Sequence, residues 1–213
     1  MKKALLTTAA ILLALFSMTM FSYAQEVSQS GREKGFVIRP ELVVGYGPLM
    51  GSDSHCSTKY LQGTFVYQFN PHIDTGIGTG YCRNHWAYLG EGVDDFYLIP
   101  AYVSSRAYLC NRKVSPYIDL KLGYNISNKE GCIVVDYGAD PKYFTDYYSK
   151  LEGPFCSLTL GLQFHRIDVG LSWWRMKAQY RVIRNNITCT NENYWRTLIS
   201  FNIAYNFQFK QSF

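Results

Sequence analysis

Apolar and polar residues alternate with period two along most of this chain beyond residue 35, and the last segment shows the pattern at its longest. Phe201, Ile203, Tyr205, Phe207 and Phe209 share one parity, while Asn202, Ala204, Asn206 and Gln208 share the other. A strand sends successive side chains to opposite faces, so each such run predicts one strand. The runs cover 36–46, 60–69, 73–82, 96–109, 116–127, 155–164, 167–176 and 194–209, which makes eight strands. No segment carries an amphipathic helical period, and the fold class is all-β.

The links between these strands alternate in length. "NPH" (70–72), "CNRKVS" (110–115) and "HR" (165–166) are tight turns, whereas 47–59, 83–95, 128–154 and 177–193 read as long loops. An antiparallel up-and-down barrel with both termini at one end puts every short turn at that end and every long loop at the other. Transmembrane barrels are built this way.

The two parities differ sharply in charge. Leu42, Val44, Leu61, Phe65, Ile77, Ile99, Val103, Leu120, Leu122, Leu158, Leu160, Leu171 and Ile203 stand on the apolar one. Arg39, Glu41, Asp74, Arg106, Asp119, Lys121, Asp168 and Arg196 stand on the other, four cations and four anions. Eight strands enclose an interior just wide enough for side chains to fill. The charged row is therefore expected inside, neutralising itself as a lumen network, and the apolar row against lipid. A soluble lipocalin-like ligand carrier with the apolar row turned inward is the alternative.

The first residues place the protein. Lys2 and Lys3 precede an apolar run from Ala4 to Phe16 and the small residues Ser22 and Ala24, the layout of a cleaved signal peptide over 1–24. Residues 25–35 read as a polar leader and 36–213 as the barrel domain. Beyond Ala24 no apolar stretch is long enough for a membrane helix. The formal charge of +5 includes the two signal lysines, and no basic cluster points to nucleic acid.

"YQFNPHIDTGIGTGY" (67–81), "LIPAYVSSRAYL" (98–109) and "VSPYIDLKLGYNI" (114–126) resemble the strand-turn-strand phrases of the small outer-membrane β-barrel family of Gram-negative bacteria. That group of porin-family proteins is related in architecture to the OmpX and OmpA barrels. The resemblance implies an outer-membrane location in contact with lipid and lipopolysaccharide. It implies a C-terminal strand read by the barrel-assembly machinery, to which Ile203, Tyr205, Phe207, Phe209 and Phe213 are similar, with Gln211 interrupting the row. It implies no shared catalytic residues and no cofactor.

Candidate chemistry is sparse. Cys56, Cys132 and Cys189 lie in long loops and Cys82 and Cys156 at the loop ends of strands, so these five are the disulfide candidates, with Cys132–Cys156 the natural pair within one loop. Cys110 falls at the short-turn end. No CxxC or His spacing suggests zinc. "GIGTG" (76–80) lacks dinucleotide spacing and no helix follows, so its glycines make room for bulky neighbours. Ser52, Asp53, Ser54 and His55, with His85 and Asp94–Asp95, are the only residues suggesting an enzyme acting on lipid A or phospholipid. Tyr137, Tyr143, Phe144, Tyr147 and Tyr148 make 128–154, together with 83–95, the candidate surface for an external ligand. The expected role is structural or adhesive, with no enzyme activity.

Overall fold

The computed structural model describes residues 32–48, 54–88, 91–127, 131–136, 144–184 and 187–209. For 48, 54–56, 85–88, 91–96, 131–136, 144–149, 180–184 and 187–192 it describes backbone only. The segment read as a signal peptide and residues 25–31 of the leader lie outside the described residues.

Among the described residues eleven strands form one antiparallel sheet: β1 (Gly35–Pro48), β2 (Ser54–Asn70), β3 (Ile73–Tyr88), β4 (Glu91–Tyr108), β5 (Val114–Ser127), β6 (Gly131–Asp136), β7 (Phe144–Lys150), β8 (Gly153–Phe164), β9 (Ile167–Arg184), β10 (Ile187–Tyr205) and β11 (Phe207–Gln208). They build an eight-stranded barrel because three of them continue others. Strand β8 pairs with β9 from Phe164↔Ile167 to Phe155↔Met176, and β7 takes over from Lys150↔Gln179 to Thr145↔Arg184. Strand β6 pairs with β7 and lies against β4, prolonging the line of β5. Strand β11 extends β10 along β1 through Val37↔Gln208. Closure comes from β1 on β10, Glu41↔Ala204 to Tyr46↔Ile199.

The segments expected as long loops are mostly strand. Strands β2 and β3 stay paired up to Ser54↔Tyr88, and β9 and β10 up to Ile187↔Arg184. Both faces of a strand meet water once it leaves a bilayer, so alternation fades there while the hydrogen-bond ladder goes on.

The apolar parity faces out. Leu61, Ile77, Leu171 and Ile199 are each more than 60% exposed, while Arg39, Asp74, Asp119, Lys121 and Asp168 are each at most 1% exposed. A soluble carrier would show the reverse. Aromatic residues gather at both edges of this exterior belt, Phe36, Phe69, Tyr205, Phe207 and Phe209 near the short turns and Tyr46, Tyr81, Tyr124, Trp173 and Trp195 near the other end. From Phe36 to Tyr46 along β1 the belt is about 25 Å tall, given a rise of ~3.3 Å per residue and a tilt of ~40°. That matches the lipid-facing band of transmembrane barrels.

Cross-strand glycines let the lumen hold large rings. Gly78 is in register with Tyr102 and Gly161 with Tyr117, and a Cβ on either glycine would fall onto the ring of its partner. Ile203, which is in register with Leu42 and Val169, lies within the belt. Ile203→Arg is expected to lower folding stability in lipid vesicles by roughly 2–4 kcal/mol, measured by urea unfolding, with Ile203→Leu near neutral. Equal stability of the two variants would place this position away from lipid.

Candidate lumen site

The lumen is layered along the barrel axis. At the short-turn end, two guanidinium groups meet three carboxylates. Arg39 donates from Nη2 to Asp74 Oδ2 (2.5 Å) and to Tyr108 Oη (3.0 Å), and its Nε donates to Asn206 Oδ1 (2.7 Å) and lies 3.6 Å from Asp168. Arg106 donates from Nη2 to Asp119 Oδ2 (2.9 Å) and from Nη1 to Asp168 Oδ2. Around them, Ser104 donates to Asp119 (2.8 Å), Tyr108 to Asp74 (2.9 Å) and the Asn206 amide to Asp168 (2.9 Å). The Arg106 guanidinium also stacks 3.9 Å from the centroid of Tyr117.

The third cation of this layer comes from outside the barrel strands. Arg32, in the leader, reaches into the mouth and donates to the Pro71 (2.9 Å) and Cys110 carbonyls, to Gln163 Oε1 and to Ser115 Oγ (3.1 Å), with its guanidinium 3.8 Å over the Tyr108 ring. Nothing in the alternation pattern signals this, because Arg32 precedes the first strand.

One step up, Lys121 Nζ donates to Glu41 Oε2 and to Gln62 Oε1 (3.2 Å), while Asn202 Nδ2 donates to Glu41 Oε1 (2.6 Å). Above this pair the lumen turns apolar. Val43, Tyr60, Leu98, Phe155, Trp174, Met176 and Leu198 pack into one buried cluster, with Trp174 stacked on Tyr60 (5.1 Å) and on Phe155 (5.5 Å). Trp174 Nε1 donates to Ser200 Oγ (2.8 Å). These residues stand on the polar parity. Only that parity, read in register with the neighbouring strands, could have marked them as lumen residues.

Among the described residues, the structure thus brings seven of the eight expected charged residues into ion pairs and leaves out one. Arg196 is 2% exposed, in register with Met176 and flanked on its own face by Tyr194 and Leu198, and its Nε, Nη1 and Nη2 have no hydrogen-bond partner. Its described neighbours Met176 and Leu198 are apolar, which departs from the expectation of a lumen filled by paired charges.

The cysteines also depart from expectation. Cys156 has a free thiol on the outward parity of β8, so the Cys132–Cys156 pair does not form. Cys82 points into the lumen and its Sγ accepts from Asn84 Nδ2 (3.2 Å). Cys110 is free at the short-turn end. The side chains of Cys56, Cys132, Cys189, His55, His85, Asp94, Asp95 and the 137–148 aromatics lie outside the described residues, as does Phe213. Ile203, Tyr205, Phe207 and Phe209 face outward, and the strand breaks between them at Asn206, whose amide N–H donates to the Arg166 carbonyl (2.7 Å).

Neither a protein-family model nor a curated protein matches the sequence. Among solved structures the chain is similar to the outer membrane protein OprG from Pseudomonas aeruginosa, at 11% identity and a TM-score of 0.49, over 85% of this chain and 100% of that one. It is similar to Neisserial surface protein A at 15% and 0.48, over 83% and 100%. To the outer membrane enzyme PagL it is similar at 12% and 0.41, over 80% and 99%. These are likenesses of shape, and the assignment of faces above comes from this chain's own side chains.

Removing one member of a buried pair strands the other without a counterion. Arg106→Met is expected to cost about 3–5 kcal/mol in refolding, since Asp119 loses its guanidinium. Arg196→Met, which removes a guanidinium without a hydrogen-bond partner from an apolar layer, is expected to be neutral or stabilising. Similar losses for the two in urea titrations would contradict the layered lumen.

Proposed function

We propose that this protein is an outer-membrane barrel, exported by the 1–24 signal peptide and inserted by the barrel-assembly machinery, which acts through its outer end as a structural or surface-binding element. The observation that carries this reading is the packed lumen: among the described residues, paired charges fill the lower part and stacked aromatic residues the upper part. Function is then left to the surface.

The outer end supplies that surface. Trp195, at the upper edge of the belt, is in register with Lys177, and β9 runs on to Arg184. At ~3.3 Å per residue and ~40° of tilt, this lifts paired sheet roughly 15–20 Å clear of the lipid band. The ladder of β6, β7 and β9 holds Gly131–Asp136 and Phe144–Lys150 in paired sheet, which suits the display of binding residues to an external ligand. Contact with lipopolysaccharide at this level follows from the same reading.

Fractionation tests the proposal. The protein is expected in the outer membrane, with faster gel migration before boiling than after it, no steady conductance in planar bilayers, and an epitope inserted within 137–143 accessible on intact cells. Recovery from periplasm without detergent would refute it. Altered lipid A or phospholipid on expression, abolished by His55→Ala, would favour the enzyme reading instead.

A further inference from the structure

A second feature lies at the opposite end of the barrel, where cationic side chains outnumber acidic ones among the described residues. The turn 110–113 and the turn 165–166 are tied together by the His165 N–H donating to the Lys113 carbonyl (2.7 Å), and the Arg166 carbonyl accepts from the Asn206 N–H (2.7 Å). Between them opens a cleft of ≈ 720 Å³ lined by Arg112, Lys113, His165 and Arg166, with Arg32 at its lumen side. Among the described residues Glu33 is the only acid on its wall.

Among the described residues no ion pair or hydrogen bond engages the side chains of Arg112, Lys113 or Arg166, in contrast to Arg39, Arg106 and Lys121 in the lumen. His165 has φ 55°, a left-handed conformation that glycine adopts more readily, and this turn geometry sets the imidazole at the cleft. The rest of the cleft wall is Gln163 and Gln208 together with the apolar Phe164, Ile167 and Tyr205, of which Ile167 and Tyr205 belong to the outward row that faces lipid. One side therefore offers unbalanced cations at the level of the headgroups, and the other a greasy edge continuous with the belt.

We infer that this cleft binds an anionic phospholipid of the leaflet at the short-turn rim, with the phosphate among Arg112, Lys113 and Arg166 and an acyl chain along Ile167 and Tyr205. A free phosphate would use the cations and leave the apolar edge idle. A zwitterionic lipid would use the edge and leave the cationic excess uncompensated. The inference rests on the transmembrane reading but fails separately from it, since gel migration reports the barrel and lipid retention reports the cleft.

The test is native mass spectrometry on the full-length protein, reconstituted into vesicles of phosphatidylethanolamine, phosphatidylcholine and phosphatidylglycerol and then extracted into mild detergent. Selective retention of phosphatidylglycerol is expected. Replacing Arg112, Lys113 and Arg166 together by Gln should weaken retention on the order of a hundredfold, from about fivefold per cation near a lipid surface. Lys34→Gln, exposed and outside the cleft, should leave it unchanged. If the triple variant does not fold, Arg112→Gln and Arg166→Gln singly should each show the smaller loss. Retention unaltered in the variants, equal retention of phosphatidylcholine, a matching loss in Lys34→Gln, or displacement by inorganic phosphate would each overturn the assignment.

Discussion

Backbone amides and carbonyls inside hydrocarbon have no water to fall back on, and each one left unpaired costs several kcal/mol. A sheet can meet that demand only by closing on itself, which here is done by β1 on β10 with β11 prolonging the seam. Closure fixes everything downstream. Once the sheet is a cylinder, one parity of every strand must face lipid and the other a narrow lumen. Any charge within the belt is forced into that lumen, where burial is costly without a partner and where Arg196 is the exception to the pairing among the described residues.

The arrangement of the lumen follows from this. Three carboxylates crowd the short-turn end against Arg39 and Arg106, and Arg32 enters from the leader to make up the missing positive charge. Lys121 and Glu41 form a second, self-contained pair one layer higher. Above them stacked rings exclude water, and Trp174 is wholly buried. The molecule is thus sealed by two different means at two levels. Its two ends differ in make-up, one carrying projecting paired sheet and the other a basic rim.

How legible each part was in the sequence depends on which solvent imposed the pattern. The belt was readable because lipid on one side and lumen on the other force strict alternation, as in 201–209. The projecting parts of β2, β3, β9 and β10 were not, since outside the bilayer nothing forbids polar residues on either face. Within the lumen, charges such as Arg106 and Asp168 stood out, but Asn206, Asn202, Gln62 and Tyr108 did not. Neutral donors become recognisable only once the register puts them beside a charge. The apolar layer was hidden for a related reason: Trp173 and Trp174 are adjacent and both greasy, yet one faces lipid and the other the lumen. Arg32 lay beyond the reach of any strand pattern.

That adjacent pair gives the most direct test of which face meets hydrocarbon. Two variants, each keeping only Trp173 or only Trp174 as its tryptophan, would be folded into bilayers whose acyl chains carry bromine, a short-range quencher. Strong quenching of Trp173 with Trp174 nearly unaffected is the result required. Quenching of Trp174 with Trp173 spared would turn the barrel inside out.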